Sequence, residues 1–188
     1  MSSLSVIKQV TAEEYLALER AAETRSELIN GVLYGMAGTS EEHNQITGNA
    51  YLALRQHLKG RKCKTFFTEM RVQISETGAY VYPDIVVVCG EARFADSHLD
   101  TLLNPKVIFE VLSPSTEAYD RGEKFAHYRR LETLQEYVLV SQYQKRVEHY
   151  QRQGELWVLK EGTAGEVELT SLGVSLSLEE IYEEIEFA

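Results

Sequence analysis

The chain has 188 residues, of which 44% are hydrophobic and 26% charged, with 3 Pro and 12 Gly. That is enough for one domain with its own core, 1–188, and it excludes a disordered or collagen-like chain. Nineteen Lys and Arg against 29 Asp and Glu leave a net charge of −10, which argues against coating nucleic acid through counterion release but not against a local site where a divalent metal supplies positive charge.

The opening residues MSSLSVIKQV lack the apolar core of a signal peptide. The longest apolar run, Ile85 to Cys89, cannot span a membrane. The expected location is cytoplasmic, with no membrane partner. Cys63 and Cys89 have no CxxC pattern and no flanking His. They do not read as a zinc site; they read as two reduced thiols in a cytosolic protein, with one disulfide as the alternative.

Thr11 to Glu23 opens with a Thr-x-x-Glu capping box (Thr11, Glu14) and predicts a short helix. Ser26 to Met36 alternates around Asn30-Gly31, a turn dipeptide, and predicts a strand or hairpin. Ser40 to Leu58 predicts a longer helix: Ser40 caps it, Glu41 and Glu42 suit its positive end, and Ile46, Ala50, Leu54 and Leu58 recur every four residues. The basic KGRKCK stretch that follows is a solvated helix cap or a phosphate contact.

Cys63–Thr68, Met70–Ser75 and Ala79–Cys89 predict strands, the last ending in the continuous β-branched run IVVVC of a strand buried on both faces. Lys106–Leu112 predicts another strand, Thr116–Leu131 a helix with Phe125, Tyr128 and Leu131 on one stripe, and Glu136–Ser141 a core strand. Strand, helix, strand in that order suggests a crossover within one mixed sheet. VEHYQ, LWVLK and VELT predict hairpin strands, and Ser177–Ile185 a short acidic helix.

Two carboxylates stand inside apolar strands: Asp84 after Pro83 and before IVVV, and Glu110 within KVIFEVL. A buried charge costs several kcal/mol unless it is paired or bound to a cation. Two such residues on neighbouring strands suit Mg²⁺, which takes a few carboxylate oxygens plus waters. The alternative is that each sits at a strand end, exposed or paired with Arg. Lys124 lies 14 residues after Glu110. It either folds back over the strand end, where it could hold a nucleophilic water, or is a surface lysine paired with Glu117 or Glu123. In either case Lys124→Ala should leave the fold nearly intact.

The runs YPDIVVVC, PKVIFEVLSPSTEAYDRGEKFAHYRRL and EYVLVS, with ELINGVLYGMAG and EEHNQI upstream, resemble the Uma2 family (also called DUF820), whose members are taken to be restriction endonucleases of the PD-(D/E)xK superfamily. The resemblance covers roughly Glu27 to Gln142. It implies an α/β fold: a restriction-endonuclease-like core, a mixed β-sheet flanked by helices, with a C-terminal β-hairpin extension. It implies Mg²⁺- or Mn²⁺-dependent cleavage of DNA. Asp84 matches the Asp of the first half-motif and Glu110 the acidic residue of the second. The superfamily Lys would stand two residues after Glu110, where this chain has Leu112; Lys124 of DRGEK is its implied replacement. By the same resemblance Glu27 and the Val111 carbonyl complete the metal site. Arg121 contacts phosphate or pairs with Glu117. His43 is either a packed helix histidine or faces substrate. A homodimer follows by analogy with superfamily members that cut two strands. The rivals are a nuclease-fold binding protein without activity, motivated by Leu112, and a metal-dependent hydrolase of smaller phosphate substrates, motivated by the acidity.

Overall fold

The computed structural model describes residues 9–36 and 38–187. The N-terminal signals act as read. Thr11 accepts from the Glu14 N–H at 3.2 Å, the Glu14 carboxylate accepts from the Thr11 N–H at 3.0 Å, and helix α1 (Ala12–Ala21) follows. Asn30 and Gly31 both take positive φ, 50° and 78°, which lets β1 (Ser26–Ile29) turn tightly into β2 (Val32–Gly35). The Ser40 hydroxyl accepts from the His43 N–H and starts α2 (Glu41–His57).

The strands β3 (Cys63–Phe67), β4 (Arg71–Ile74), β5 (Ala79–Val81), β6 (Ile85–Cys89), β7 (Thr101–Leu102), β8 (Val107–Leu112) and β9 (Glu136–Ser141) follow, then β10 (Val147–Gln153) and β11 (Leu156–Gly162). The chain ends in the hairpin β12 (Glu166–Leu169) and β13 (Val174–Ser177) and the turn of helix α5 (Leu178–Ile181). The strands divide between two main sheets, in the orders β2-β1-β5-β4-β7 and β11-β10-β9-β8-β6-β3. In the second, β8 and β9 are parallel and the remaining pairs antiparallel. The segment between them supplies the expected crossover. The α/β class, the flanking helices and the C-terminal hairpin agree with the sequence reading, while the one mixed sheet expected is two.

One expected strand, Ala79–Cys89, is two. Pro83 has no N–H to give a ladder, and the residue before a proline is held extended. The chain leaves the first sheet after Val81 and enters the second at Ile85. Asp84 stands at that step. The crossover also departs from a plain helix. It runs as α3 (Glu117–Tyr119), a π-helical turn (Asp120–Lys124) and α4 (Phe125–Tyr128). The Asp120 carbonyl accepts from the buried Tyr137 hydroxyl at 3.0 Å, an outside partner of the kind that a widened turn requires.

Alternation along β8 explains the layering. Val107, Phe109 and Val111 face α2, the C-terminal hairpin and α5. Ile108 and Leu112 face the other way, toward the first sheet and the crossover residues Phe125, Tyr128 and Leu131. Glu110 shares this second face by the same period of two. No helix among the described residues is long and apolar enough to cross a membrane.

The expectation of two free thiols is corrected. Cys63 and Cys89 are directly opposed across the β3–β6 pair and form a disulfide. The sequence shows only their 26-residue separation; the antiparallel register brings them together. The argument for a reducing compartment loses this support. The bond closes a loop that contains β4, β5 and Asp84. Chain entropy for a loop of this length is worth about 3.5 kcal/mol. Cys63→Ser with Cys89→Ser, or dithiothreitol on the native protein, should lower the unfolding free energy in urea by about that amount.

The hairpin extension docks through a buried charge. Glu136 is fully buried, with His149 Nε2 at 2.6 Å from one oxygen and the Ser171 N–H donating to the other at 2.6 Å. Burial alone would raise its pKa; the bonds from His149 and Ser171 outweigh this and hold it below the ordinary glutamate value of 4.5. A carboxyl with a lowered folded-state pKa stabilises the fold above its unfolded pKa, and that contribution is lost as pH falls through the folded value. Acid unfolding should therefore steepen below about pH 4.5. Glu136→Gln should flatten that limb in a pH series of thermal midpoints.

Candidate active site

Four chain segments meet where β6 begins. The β6–β8 register runs Val87↔Val107, Val86↔Ile108, Ile85↔Phe109, and one further step sets Asp84 opposite Glu110. The Asp84 N–H donates to Glu110 Oε2 at 3.3 Å, and Asp84 Oδ2 accepts from the Val111 N–H at 2.7 Å. The Asp84 carbonyl takes the Thr68 N–H at 2.9 Å, which ties the step to the end of β3. Asp84, one residue before β6, thus stands directly opposite Glu110 of β8.

Lys124 enters from the π turn. Its Nζ lies 2.9 Å from Glu110 Oε1, 3.2 Å from Glu27 Oε1 and 3.7 Å from Asp120 Oδ1, and it is 5% exposed. It is not a surface lysine. Burial by itself would lower its pKa, but Glu110, Glu27 and Asp120 together drive it well above the ordinary lysine value. It is therefore an ammonium. Glu110, 3% exposed, is pushed well above the ordinary glutamate value by burial first and then by the charges of Asp120 and Asp84, with Lys124 opposing.

Hydroxyls complete the arrangement. Tyr128 donates to Glu110 Oε1 at 2.8 Å and Tyr119 to Glu27 Oε2 at 3.0 Å, while the Tyr82 N–H donates to Glu27 Oε1 at 2.9 Å. Tyr82 also reaches back, donating its hydroxyl to Glu19 at 2.9 Å and accepting from buried Arg71 at 3.0 Å. Sequence reasoning missed Tyr82, Tyr119 and Asp120 and read Tyr128 as packing alone. The signals available were the Tyr directly before Pro83-Asp84 and the Asp that opens DRGEK.

His43 is both packed and at the site. It is buried, it lines the pocket, and its Nε2 lies 3.3 Å from Asp84 Oδ2. Burial lowers its pKa, but the bond to Asp84 and its charge, the Val111 backbone and Asp120 outweigh this and leave it raised. Arg121 is elsewhere. The π turn directs it to Glu148 of β10, with contacts of 2.7–3.3 Å, and to Glu117. Its expected phosphate contact is corrected: two carboxylates neutralise it outside the pocket. The pairing with Glu117 stands.

These residues line a cavity of about 610 Å³, roofed by β2, the start of α2 and the Ser113–Thr116 loop. Its lining holds the carboxylates of Glu27, Asp84, Glu110, Asp120 and Glu123 against the single cation Lys124. Among the described residues, no group of three or more His, Cys, Asp and Glu is placed to cage a metal. A hard cation of the Mg²⁺ type needs less, one or two carboxylates with waters and a carbonyl. Asp84, Glu110 and the Val111 carbonyl are oxygen donors of that kind. Glu27 has its oxygens engaged by Lys124, Tyr82 and Tyr119, as Glu110 has by Lys124, Tyr128 and the Asp84 N–H.

Residues 12–183 match the Uma2 family, described as "Putative restriction endonuclease". The chain belongs to the Uma2 family. Two uncharacterized proteins of Synechocystis sp. are similar to it over nearly their whole lengths. The protein sll1609 is 38% identical over 177 residues, 93% of this chain and all of its own, and slr1290 is 33% identical over 181 residues, 95% and 94%. The crystal structure of "a putative nuclease belonging to DUF820" from Anabaena variabilis superposes with a TM-score of 0.75 at 20% identity, covering 94% of this chain and 99% of that one. The likeness thus extends over nearly all of this Uma2 protein.

The burial of Lys124 overturns the expectation that its truncation is harmless to the fold. Removing one partner of a buried ion pair leaves the other uncompensated, at about 3–5 kcal/mol. Lys124→Ala should lower stability by that order at pH 7. Glu110→Gln in the same background should recover part of the loss. A double-mutant cycle in urea measures the coupling.

Proposed function

We propose that this Uma2 protein hydrolyses phosphodiester bonds in DNA with Mg²⁺ or Mn²⁺. The observation that carries the reading is the meeting of Asp84, Glu110 and Lys124, from three separate segments, at two strand ends on the floor of one cavity. Membership of a family described as restriction endonucleases supports it. So does charge. A phosphate entering this acidic pocket finds Lys124 already matched by Glu110 and Glu27, so the reading sets a divalent cation beside it.

Asp84, Glu110 and the Val111 carbonyl would hold that cation. When bound, it would supply Lewis-acid neutralisation of the phosphate and lower the pKa of a water. The chain's own residues do the rest. His43 and the Val111 N–H both hold the Asp84 carboxylate at one oxygen, Oδ2. Glu27, itself held by Tyr82 and Tyr119, keeps the Lys124 ammonium beside Glu110. From there Nζ keeps its proton and offers it as a hydrogen-bond donor to the attacking oxygen or to the charge that develops on the phosphate.

One observation favours an inactive binding protein instead. Lys124 already has carboxylate partners, and Leu112 stands where the superfamily lysine would be. Cleavage of plasmid and oligonucleotide DNA in Mg²⁺ and Mn²⁺ decides between the two. The nuclease reading expects cleavage that EDTA abolishes and that Asp84→Asn reduces by at least about a hundredfold. It also expects a thermal midpoint that rises by several degrees in millimolar Mg²⁺ and a blunted rise in Asp84→Asn. Absence of cleavage with an unchanged midpoint would sink it.

A further inference from the structure

The cavity has two unlike parts. Its floor is charged and buried. Its rim carries exposed apolar side chains, Tyr34 at 51% and Met36 at 42% exposure. The hairpin register explains how they reach the site. Tyr34 is paired directly with Glu27 across the β1–β2 ladder. Opposed residues of such a pair put their side chains on one face, with Cβ atoms about 5 Å apart. Glu27 turns into the site to meet Lys124 at 3.2 Å, so Tyr34 stands on its wall. The Met36 N–H donates to the Arg25 carbonyl at 2.9 Å and carries the pairing past Gly35, so Met36 repeats the orientation of Tyr34.

Charge and depth restrict what these two side chains can meet. Binding to duplex DNA draws on clustered Lys and Arg that neutralise phosphates. The lining offers Lys124 alone, and Arg121 is turned away to Glu148. The polar groups at the rim are the neutral Thr39, Ser40, Ser113 and Ser115 and the exposed carboxylate of Glu123. Glu110 lies at the floor, 3% exposed, so a reacting phosphate must descend into a volume that suits a small molecule. A paired base is stacked inside its duplex and has no face to give Tyr34. An unpaired base does, and base–aromatic stacking is worth about 1–3 kcal/mol per base whatever the sequence.

We infer that the substrate presents an unpaired nucleotide, on a single strand or at an opened end, whose base stacks on Tyr34 with Met36 alongside while the adjoining phosphate reaches Asp84 and Glu110. This rests on the hydrolytic reading for the phosphate and on the hairpin register for the base. Tyr34 is thus the residue that selects strandedness.

Fluorescence anisotropy tests it, with a short labelled oligonucleotide, single-stranded or annealed, in Ca²⁺ as the hard cation. The single strand should bind at least about tenfold more tightly than the duplex. Tyr34→Ala should weaken single-strand binding by roughly 5- to 150-fold, the worth of one stacked base. Tyr34→Phe and Tyr34→Trp should keep it. The thermal midpoint of Tyr34→Ala should match the wild type, since the side chain is exposed. Equal or tighter duplex binding, an unaffected Tyr34→Ala, or no binding to either form overturns the inference. Parallel cleavage assays in Mg²⁺ separate it from the hydrolytic reading. Tyr34-dependent binding without cleavage supports the inference and defeats hydrolysis. Cleavage of duplex that ignores Tyr34 does the reverse.

Discussion

A lysine ammonium buried among carboxylates is the constraint on which the rest of the molecule depends. Lys124 is excluded from water, so it must be matched by charges that are excluded too. Glu110 and Glu27 supply them from different sheets. The ion cluster is therefore also the joint between the two sheets. Each carboxylate brings further requirements. Glu110 needs the Tyr128 hydroxyl, and Glu27 needs the Tyr119 hydroxyl and the Tyr82 N–H. The π turn follows from the same need, since it brings Lys124 and Asp120 inward while Tyr137 satisfies the freed carbonyl.

The cluster is a poor source of net stability, because desolvation opposes the Coulombic gain. Apolar residues of the same volume would serve the fold as well. A retained arrangement of this cost is better explained by a site that needs a fixed cation and a fixed carboxylate at one place. The acidic lining fits the same account: under the proposed function, a divalent cation would offset its five acidic residues before a phosphate could enter.

Much of the fold could be read in advance because its signals are local. The capping box at Thr11, the Asn30-Gly31 turn and the Ser40 cap each act within three or four residues. Asp84 and Glu110 stood out because charge inside IVVV and VIFEVL runs is conspicuous. What stayed hidden depends on register and on distant partners. The hydrophobic pattern of Ala79–Cys89 continues through Pro83 and gives no hint that two sheets divide there. A stripe of Phe125, Tyr128 and Leu131 looks the same with or without a π turn upstream. The Cys63–Cys89 pairing is a property of β3 against β6. The pairing of Arg121 with Glu117 was legible at i,i+4, but its main partner, Glu148, arrives from β10, 27 residues later. Tyrosine hydroxyls that bond carboxylates are indistinguishable in sequence from tyrosines that merely pack.

The same geometry bears on how the molecule comes to exist. Tyr119 meets Glu27 across 92 residues, and Asp84 meets Glu110 across 26. No helix or hairpin, forming alone, contains two of the groups that neutralise one another in the cluster, save Asp120 and Lys124. During folding, each charge must stay hydrated until the hairpin, the strand ends and the crossover arrive together, because an earlier burial would strand it. Water therefore leaves the cluster late, after the topology is set. High contact order of this kind slows folding, and it makes the site all-or-none: a chain that lacks the N-terminal hairpin would lose part of the joint between its sheets along with part of its chemistry.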